Sequence, residues 1–331
     1  MGGPLIDAAL IARAVAVLEA GGLVGLPTET VYGLAADAAN PAAVARMFAA
    51  KGRPVDHPVI VHLADAAEVA DWAADVPDAA HRLAAAVWPG PLTLILKRAP
   101  HVLDVVTGGQ DTVGLRVPSH PVAHAVLAAF AQARRGRPAG IAAPSANKFG
   151  RVSPTTAQHV RDEFGAAVDL VLDGGPCEVG IESTIVDCSG ASPRVLRPGQ
   201  ITREQIEEIL GMALGAVAAA APLPRFSGGL EAHYAPRTRT VLLTGAEMAP
   251  ELGRRAGERI ALLSFMAPPV PVARHIAAPL QAPAFAQALY ADLRALDAAQ
   301  CDVILVERPP ADPAWEGIND RLRRAATGSS G

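Results

Sequence analysis

The sequence predicts an α/β protein built from two successive sheet domains. Three observations carry that expectation. Short apolar runs bounded by Gly, Pro and Asn alternate with helical stretches, the pattern of buried strands interleaved with helices. The 331 residues leave room for two domains of roughly 100–200 residues each. Between about residues 212 and 238 the composition turns rich in Ala, Pro and Gly, and the strand–helix alternation then starts again. Half of the residues are hydrophobic but only 4% are aromatic, so the cores must be built mainly from Ala, Val, Leu and Ile.

Residues 23–26 read as a short strand closed by Pro27. Asn40 caps a helix with Pro41 at its first position, running to about Ala50. A strand at 59–63 precedes a helical stretch through Val87. Trp88-Pro-Gly-Pro91 then breaks the chain before a strand at 92–96. Residues 113–117 read as a strand, 121–134 as a helix, and 141–143 as a strand end leading into Pro144-Ser145. Ser153 and Pro154 open a helix that ends at Gly165. Strands follow at 170–172, 184–187 and 194–196, and Thr202 with Gln205 forms a capping box for a helix ending at Gly211. This sets a first domain at 8–211, a linker at 212–238 and a small domain at 239–327. In the small domain, strands at 241–243, 260–263 and 303–306 alternate with three helices. These lie at 247–256, along Phe285, Leu289, Leu293 and Leu296, and at 315–325. Residues 328–331 read as a frayed tail.

Familiar nucleotide signatures do not occur: there is no G-x-G-x-x-G after a strand, no Walker loop, no G-x-S-x-G elbow and no H-E-x-x-H. Four polar segments stand out instead. Pro27-Thr-Glu-Thr-Val-Tyr-Gly-Leu34 follows the first strand, where open α/β sheets bind ligands, although its residue types equally suit a capped turn. Lys51-Gly-Arg53-Pro54, followed by His57-Pro-Val-Ile-Val-His62, puts two cations at a helix C-terminus. Such cations complement the helix dipole by about 0.3–1 kcal/mol, and they also suit phosphate or carboxylate oxygens. Ala143-Pro-Ser-Ala-Asn-Lys148, then Ser153-Pro-Thr-Thr156, sets hydroxyls, an amide and a lysine before a helix N-terminus, which suits an anion. Taken singly, Ser153 is an N-cap and Asn147 a left-handed turn residue. Gly180-Ile-Glu-Ser-Thr-Ile185 and Val195-Leu-Arg-Pro-Gly199 place polar groups at strand ends. Arg116, inside an apolar strand, needs an anionic partner, either a ligand carboxylate or an internal Asp or Glu. Lysine occurs only at Lys51, Lys97 and Lys148, and two of those three fall in these segments.

In that order, the segments 27–34, Lys51-Gly-Arg-Pro54, 58–62, Pro144-Ser-Ala-Asn147, Glu182-Ser-Thr-Ile-Val-Asp187 and Leu196-Arg-Pro-Gly199 closely resemble the YrdC-type threonylcarbamoyl-AMP synthases over about residues 8–210. His233-Tyr-Ala-Pro236 and the residues after it resemble the two-domain branch of that family. The resemblance implies a YrdC-like twisted mixed sheet flanked by helices, followed by a smaller Rossmann-like α/β domain. It implies a nucleotidyltransferase that turns L-threonine, bicarbonate and ATP into threonylcarbamoyl-AMP and pyrophosphate. The product would serve the threonylcarbamoyladenosine modification of tRNA through a downstream tRNA threonylcarbamoyl-transfer complex. Carried over residue by residue, the family's K-x-R…S-x-N signature gives catalytic roles to Lys51, Arg53, Ser145 and Asn147. Threonine would contact Thr30, His62, Arg116, Ala143 and Ser183. ATP would contact Arg53, His57, Ser145, Ser153, Arg197 and Tyr234. Mg²⁺ would arrive on the ATP phosphates, with no metal ligand from the protein. Two departures stand out: His57 replaces the Asn common in the family, and 226–232 lacks the basic run often found before the His-Tyr-Ala-Pro motif. Under this reading Lys51→Ala and Arg53→Ala abolish adenylate formation and leave the fold intact.

Composition bounds the alternatives. A net charge of −4 and the lack of a basic stretch interleaved with aromatics argue against an RNA-binding module, leaving at most a weak tRNA contact. A carbamoyl transferase of the YrdC-like group would carry acylphosphatase-like or zinc-finger segments, which the sequence does not show. Cys177, Cys188 and Cys301 lack metal-ligand spacing and read as reduced thiols of a cytoplasmic protein. Arg13 and Glu19 interrupt the first apolar residues, against a signal peptide, and the Ala/Gly/Pro-rich uncharged stretch 209–224 falls short of the ~20 residues of a membrane span.

Overall fold

The computed structural model describes residues 7–214 and 223–329. Ten strands form one mixed sheet: β1 (Val24–Leu26), β2 (Gly33–Asp37), β3 (Ile60–His62), β4 (Ala73–Asp75), β5 (Leu92–Arg98), β6 (Thr112–Arg116), β7 (Ile141–Ala142), β8 (Leu170–Val171), β9 (Thr184–Asp187) and β10 (Arg194–Arg197). Their order is β10-β9-β5-β6-β3-β7-β2-β1-β8, with β4 paired to β5. Around it lie α1 (Ala8–Glu19), α2 (Pro41–Lys51), α3 (Asp78–Val87), α4 (Asp104–Thr107), α5 (Pro121–Ala133), α6 (Ala157–Phe164) and α7 (Arg203–Leu210). The helix ends obey their capping residues. Asn40 accepts from two amides at the start of α2, Gly52 closes that helix in the left-handed region, and Thr202 and Gln205 form the capping box of α7.

Side-chain alternation along the strands positions the site. Val61, Leu94, Leu115 and Val186 point into a core built with Val44, Met47 and Phe48 of α2, Leu83 of α3 and Ile206 of α7. The neighbouring positions point to the opposite face. At the β1-β2-β7 end that face is covered: Val24, Leu26, Ala35 and Ile141 pack on α1 and α5. Elsewhere on that face Ile60, His62, Gly114, Arg116 and Thr93 line hollows.

The second domain has an all-parallel sheet of β11 (Thr240–Leu243), β12 (Ile260–Ser264), β13 (Arg274–Ala277) and β14 (Val303–Glu307), ordered β11-β14-β12-β13. Its helices are α8 (Gly245–Arg254), α9 (Ala282–Asp297) and α10 (Glu316–Gly328). Phe285, Leu289, Leu293, Ile318 and Leu322 share one apolar cluster with Val31, Val152, Val179, Ile181 and Tyr234 of the preceding chain. The two-sheet α/β architecture therefore follows the expectation. Among the described residues no helix is long and apolar enough to cross a membrane.

Several local expectations differ. Residues 33–37, which begin in the polar segment 27–34 and run past it, form β2, antiparallel to β1. The helical stretch up to Val87 is three pieces, a 3-10 turn at Ala66–Asp71, β4, and α3, because Asp65 caps the turn and Pro77 restarts the helix. Ser153 caps nothing. Its hydroxyl is drawn to Glu182, and α6 starts later behind Thr156, whose hydroxyl accepts from His159 N. β13 and α4 carried no periodic signal. Gly328 belongs to α10 and the Ser329 hydroxyl accepts from Thr240 N, so the tail there is tied down; 330–331 lie outside the described residues. So do 215–222 of the expected linker.

Gly180 joins the two domains at close quarters. Its φ is 80°, and a Cβ would lie 2.4 Å from the Ala286 carbonyl oxygen of α9. Gly180→Ala is expected to destabilise the full chain by about 1 kcal/mol or more, seen as a lower midpoint in urea unfolding.

Candidate active site

The hollow over β3, β6 and β7 is lined by Thr28, Thr30, Gly33, Ile60, His62, Arg116, Ala143, Ser145, Glu182, Ser183 and Arg197, and is roofed by Ser227, His233 and Tyr234. Parallel pairing of β3 with β6 sets His62 beside Arg116. Arg116 donates to Thr30 Oγ1 at 2.8 Å and pairs with Glu29 at 2.7 Å, both buried. The internal carboxylate thus answers the question left open by the sequence. Burial alone would raise the Glu29 pKa, but Arg116 holds it below the ordinary carboxylate value. Burial, with Arg116 beside it, pushes His62 down to about 3, so the imidazole is neutral, and its Nδ1 has no hydrogen-bond partner.

On the opposite wall, Ser183 Oγ shares a 2.7 Å hydrogen bond with Thr93 and accepts from Arg197 Nη2 at 3.0 Å. Arg197 also donates from Nε to the Ser183 carbonyl at 3.0 Å and from Nη1 to the Ser227 carbonyl at 2.8 Å, which ties the linker to the wall. Tyr234 adopts a left-handed φ of 60° and is buried, and a Cβ on Gly228 would come within 2.2 Å of its hydroxyl. With the linker in this position the cavity is only about 30 Å³.

The structure therefore gathers Thr30, His62, Arg116, Ala143, Ser145, Ser183, Arg197 and Tyr234 around one hollow. It does not bring Lys51, Arg53, His57, Asn147 or Ser153 into that lining. Lys51 is buried beneath the 145–147 loop, and its Nζ donates to the carbonyls of Ser145 and Asn147. Burial, with Arg53 nearby, holds its pKa well below that of an ordinary lysine. Asn147 Nδ2 bonds the carbonyls of Lys148 and Arg151, while its buried Oδ1 has no partner. Arg53 donates to the Pro58 carbonyl at 2.8 Å and lies over the rings of Phe48 and Phe149, each 5.9 Å away. His57 meets Phe149 edge-on at 5.4 Å, and Phe149 in turn faces His233 at 6.0 Å. Ser153 is fully buried, with its hydroxyl 2.6 Å from Glu182 Oε1.

The family model Sua5_yciO_yrdC (telomere recombination) matches residues 16–199, and that of the threonylcarbamoyl-AMP synthase C-terminal domain matches residues 201–327. The chain belongs to the Sua5/YrdC family, in its two-domain form. A threonylcarbamoyl-AMP synthase of Bacillus subtilis (strain 168) is 37% identical over 334 aligned residues, covering 96% of this chain and 93% of the relative. One from Pyrococcus abyssi (strain GE5 / Orsay) is 36% identical, covering 93% and 92%. The crystal structure of P. abyssi Sua5 complexed with L-threonine superposes with a TM-score of 0.87 at 32% identity, covering 96% of this chain and 94% of that one. The large sheet and its helices end at Leu210 and the small sheet starts at Thr240; the family boundary near residue 200 falls before α7, which packs on α3.

Sequence reasoning gave Glu29, Glu182, Phe149 and His233 no role, and it did not single out Tyr290 or Arg321. Arg321 carried a usable signal. It falls between Ile318, Leu322 and Ala325 on the apolar face of its helix, where a charge implies a buried partner.

Two predictions follow from this geometry. Lys51→Ala would leave the buried Asn147 carbonyl without its donor and take one of two donors from the Ser145 carbonyl, which keeps Asn147 N, so it is expected to cost about 1–3 kcal/mol of stability as well as activity, measurable as a lowered Tm. His62 and His233 both have folded pKa values near 3, below the ordinary 6.5, His233 chiefly through burial. As the pH falls below about 6.5 the unfolded chain binds protons that the folded chain refuses. Each histidine therefore removes up to about 1.4 kcal/mol per pH unit between about 6.5 and 3. His233→Gln is expected to make the acid limb of a Tm-versus-pH curve shallower.

Proposed function

We propose that the chain is an L-threonylcarbamoyladenylate synthase, making threonylcarbamoyl-AMP and pyrophosphate from L-threonine, bicarbonate and ATP. Beyond family membership, one observation carries the reading. Lys51, Arg53 and Arg197 are buried, and among the described residues none of the three forms an ion pair with a carboxylate. Carbonyl and hydroxyl partners orient these cations but do not neutralise them, so Arg197 in the wall, with Lys51 and Arg53 behind it, favours anionic ligands in the hollow. ATP, a carbamate and the threonine carboxylate supply such charges.

In the reaction, the threonine amine adds to the carbon derived from bicarbonate, water leaves, and the resulting carbamate attacks the α-phosphate of ATP as pyrophosphate departs. Arg116 and Thr30 suit the threonine carboxylate and His62 its polar edge, since a neutral imidazole does not repel the ammonium. Arg197 and Ser145 suit phosphate oxygens, and Lys51 and Asn147 hold the Ser145 loop in place. Positioning and electrostatic stabilisation are the contributions this wall can make. The nearby carboxylates, Glu29 and Glu182, are engaged by Arg116 and Arg321. Mg²⁺ would then be carried on the ATP phosphates, where it would supply charge neutralisation.

A cavity of about 30 Å³ is far below the roughly 300–1,000 Å³ of a ligand pocket. The strand residues of the wall are held in the sheet, so the linker roof of Ser227, His233 and Tyr234 is the part that opens for substrate. Transfer of the threonylcarbamoyl group to tRNA by a partner complex, and a cytoplasmic setting, belong to the same reading. The free, buried Cys177, Cys188 and Cys301 support the latter.

The expected result is pyrophosphate release that requires both threonine and bicarbonate; release without threonine, or none at all, would refute the assignment. Arg197→Ala is expected to lower kcat/KM for ATP by on the order of a hundredfold, with threonine binding retained in calorimetry.

A further inference from the structure

The C-terminal domain places two fully buried polar side chains against the wall of the proposed site. Arg321 of α10 and Tyr290 of α9 are both 0% exposed. They meet at Glu182, the residue before Ser183. Glu182 Oε2 accepts from Tyr290 Oη at 2.8 Å and from Arg321 Nε at 2.9 Å, and Oε1 accepts from Ser153 Oγ at 2.6 Å. Burial would raise this carboxyl, but Arg321 and Arg197, with the hydrogen bonds from Ser153 and Arg321, hold it down at about 2.

Arg321 reaches further than the carboxylate. Its Nη2 donates to the Glu182 carbonyl at 3.1 Å, and its Nη1 to the Pro198 carbonyl at 2.7 Å. One guanidinium thus grips the backbone just before Ser183 and just after Arg197, the two residues that bond each other across the wall. Its carbon lies 5.5 Å from the Tyr234 ring, and that ring lies 5.7 Å from Tyr290. Adhesion between the domains does not require these groups, because an apolar cluster already spans the interface. A buried ion pair adds little net stability but does impose direction.

We propose that Arg321 and Tyr290 are positioning residues for the reaction: through Glu182 and the face of Tyr234, the small domain fixes the spacing of Ser183, Arg197 and the linker roof. This inference rests on the proposed function and gives the second domain a part in the ATP half of the site. Of the polar side chains assigned to threonine, Ser183 belongs to this network, whereas Thr30, His62 and Arg116 share no bond with it.

The test uses the full chain with Tyr290→Phe, which removes one hydroxyl, and Arg321→Lys, which keeps the charge but loses the bridging grip. Each is expected to lower kcat and raise KM for ATP, with a combined loss on the order of tenfold, while the calorimetric Kd for threonine, which has Thr30, His62 and Arg116 outside the network, changes less than KM for ATP. In a Glu182→Gln background, Tyr290→Phe should add no further loss. Wild-type kinetics in a folded Tyr290→Phe would overturn the proposal. So would threonine affinity falling in step with Tm, or independent multiplication of the losses. Amide exchange of residues 226–235 provides a readout that needs no turnover. Faster exchange in Tyr290→Phe is expected, and unchanged exchange would overturn the proposal even if the wild-type chain released no pyrophosphate, an outcome that would itself refute the functional reading.

Discussion

Buried positive charge with no carboxylate to answer it is the constraint around which this molecule is arranged. Arg321 sits opposite Glu182, so its charge is balanced inside the fold, while Arg116 is shared between Glu29 and the hollow that it lines. Lys51, Arg53 and Arg197 are fixed by carbonyls, aromatic rings and hydroxyls instead. Such partners satisfy the donors without cancelling the charge, which costs stability in the free protein. The same imbalance makes the hollow attractive to phosphate and carboxylate groups. A site that concentrates negative ligands has to carry this cost, and the nearby apolar clusters offset it.

The sheet makes the arrangement possible by treating its two faces differently. One face is sealed by α2, α3 and α7, and part of the other by α1 and α5. The uncovered remainder would be an exposed floor of Ile60, Gly114 and Thr93 alongside the paired His62 and Arg116. The linker covers it, and the small domain packs beside it on Val31, Val152, Val179 and Ile181. The linker contributes polar groups where the floor is polar, and α9 and α10 contribute Leu and Ile where the surrounding chain is apolar. Gly180, Gly199 and Gly317 allow this approach: a Cβ on Gly317 would sit 3.1 Å from the Gly199 Cα.

Much of this was legible in the residues. Strands at 184–187 and 194–197, the Asn40 cap and the Thr202–Gln205 box appear nearly where apolar runs and capping residues place them. Polar segments at strand ends marked Thr30, Arg116, Ser145, Ser183 and Arg197, all of which line the hollow. Legibility failed where long-range contacts overrode local preference. Ser153 has the chemistry of an N-cap, yet a carboxylate 29 positions away takes its hydroxyl. Lys51 reads as a dipole partner at a helix end, whereas its ammonium turns back under a loop 94 residues further on. β2 is short and alanine-rich, and only pairing with β1 and β7 makes it a strand.

Sealing the site has a chemical consequence as well as a structural one. A carbamate loses carbon dioxide readily, and a mixed acyl-phosphate anhydride is open to hydrolysis, so both species survive longest where water is excluded. A roof held by Arg197 to Ser227 and by Arg321 over Tyr234 excludes water with groups that also set the wall's geometry. Closing the roof and aligning the cations are then one event rather than two. Anions bound between Arg197 and the Ser145 loop would strengthen the contacts that hold the linker down, and release of pyrophosphate would weaken them. Under this arrangement the charge left unpaired by the fold is balanced only while substrate is present, which couples occupancy of the site to its closure.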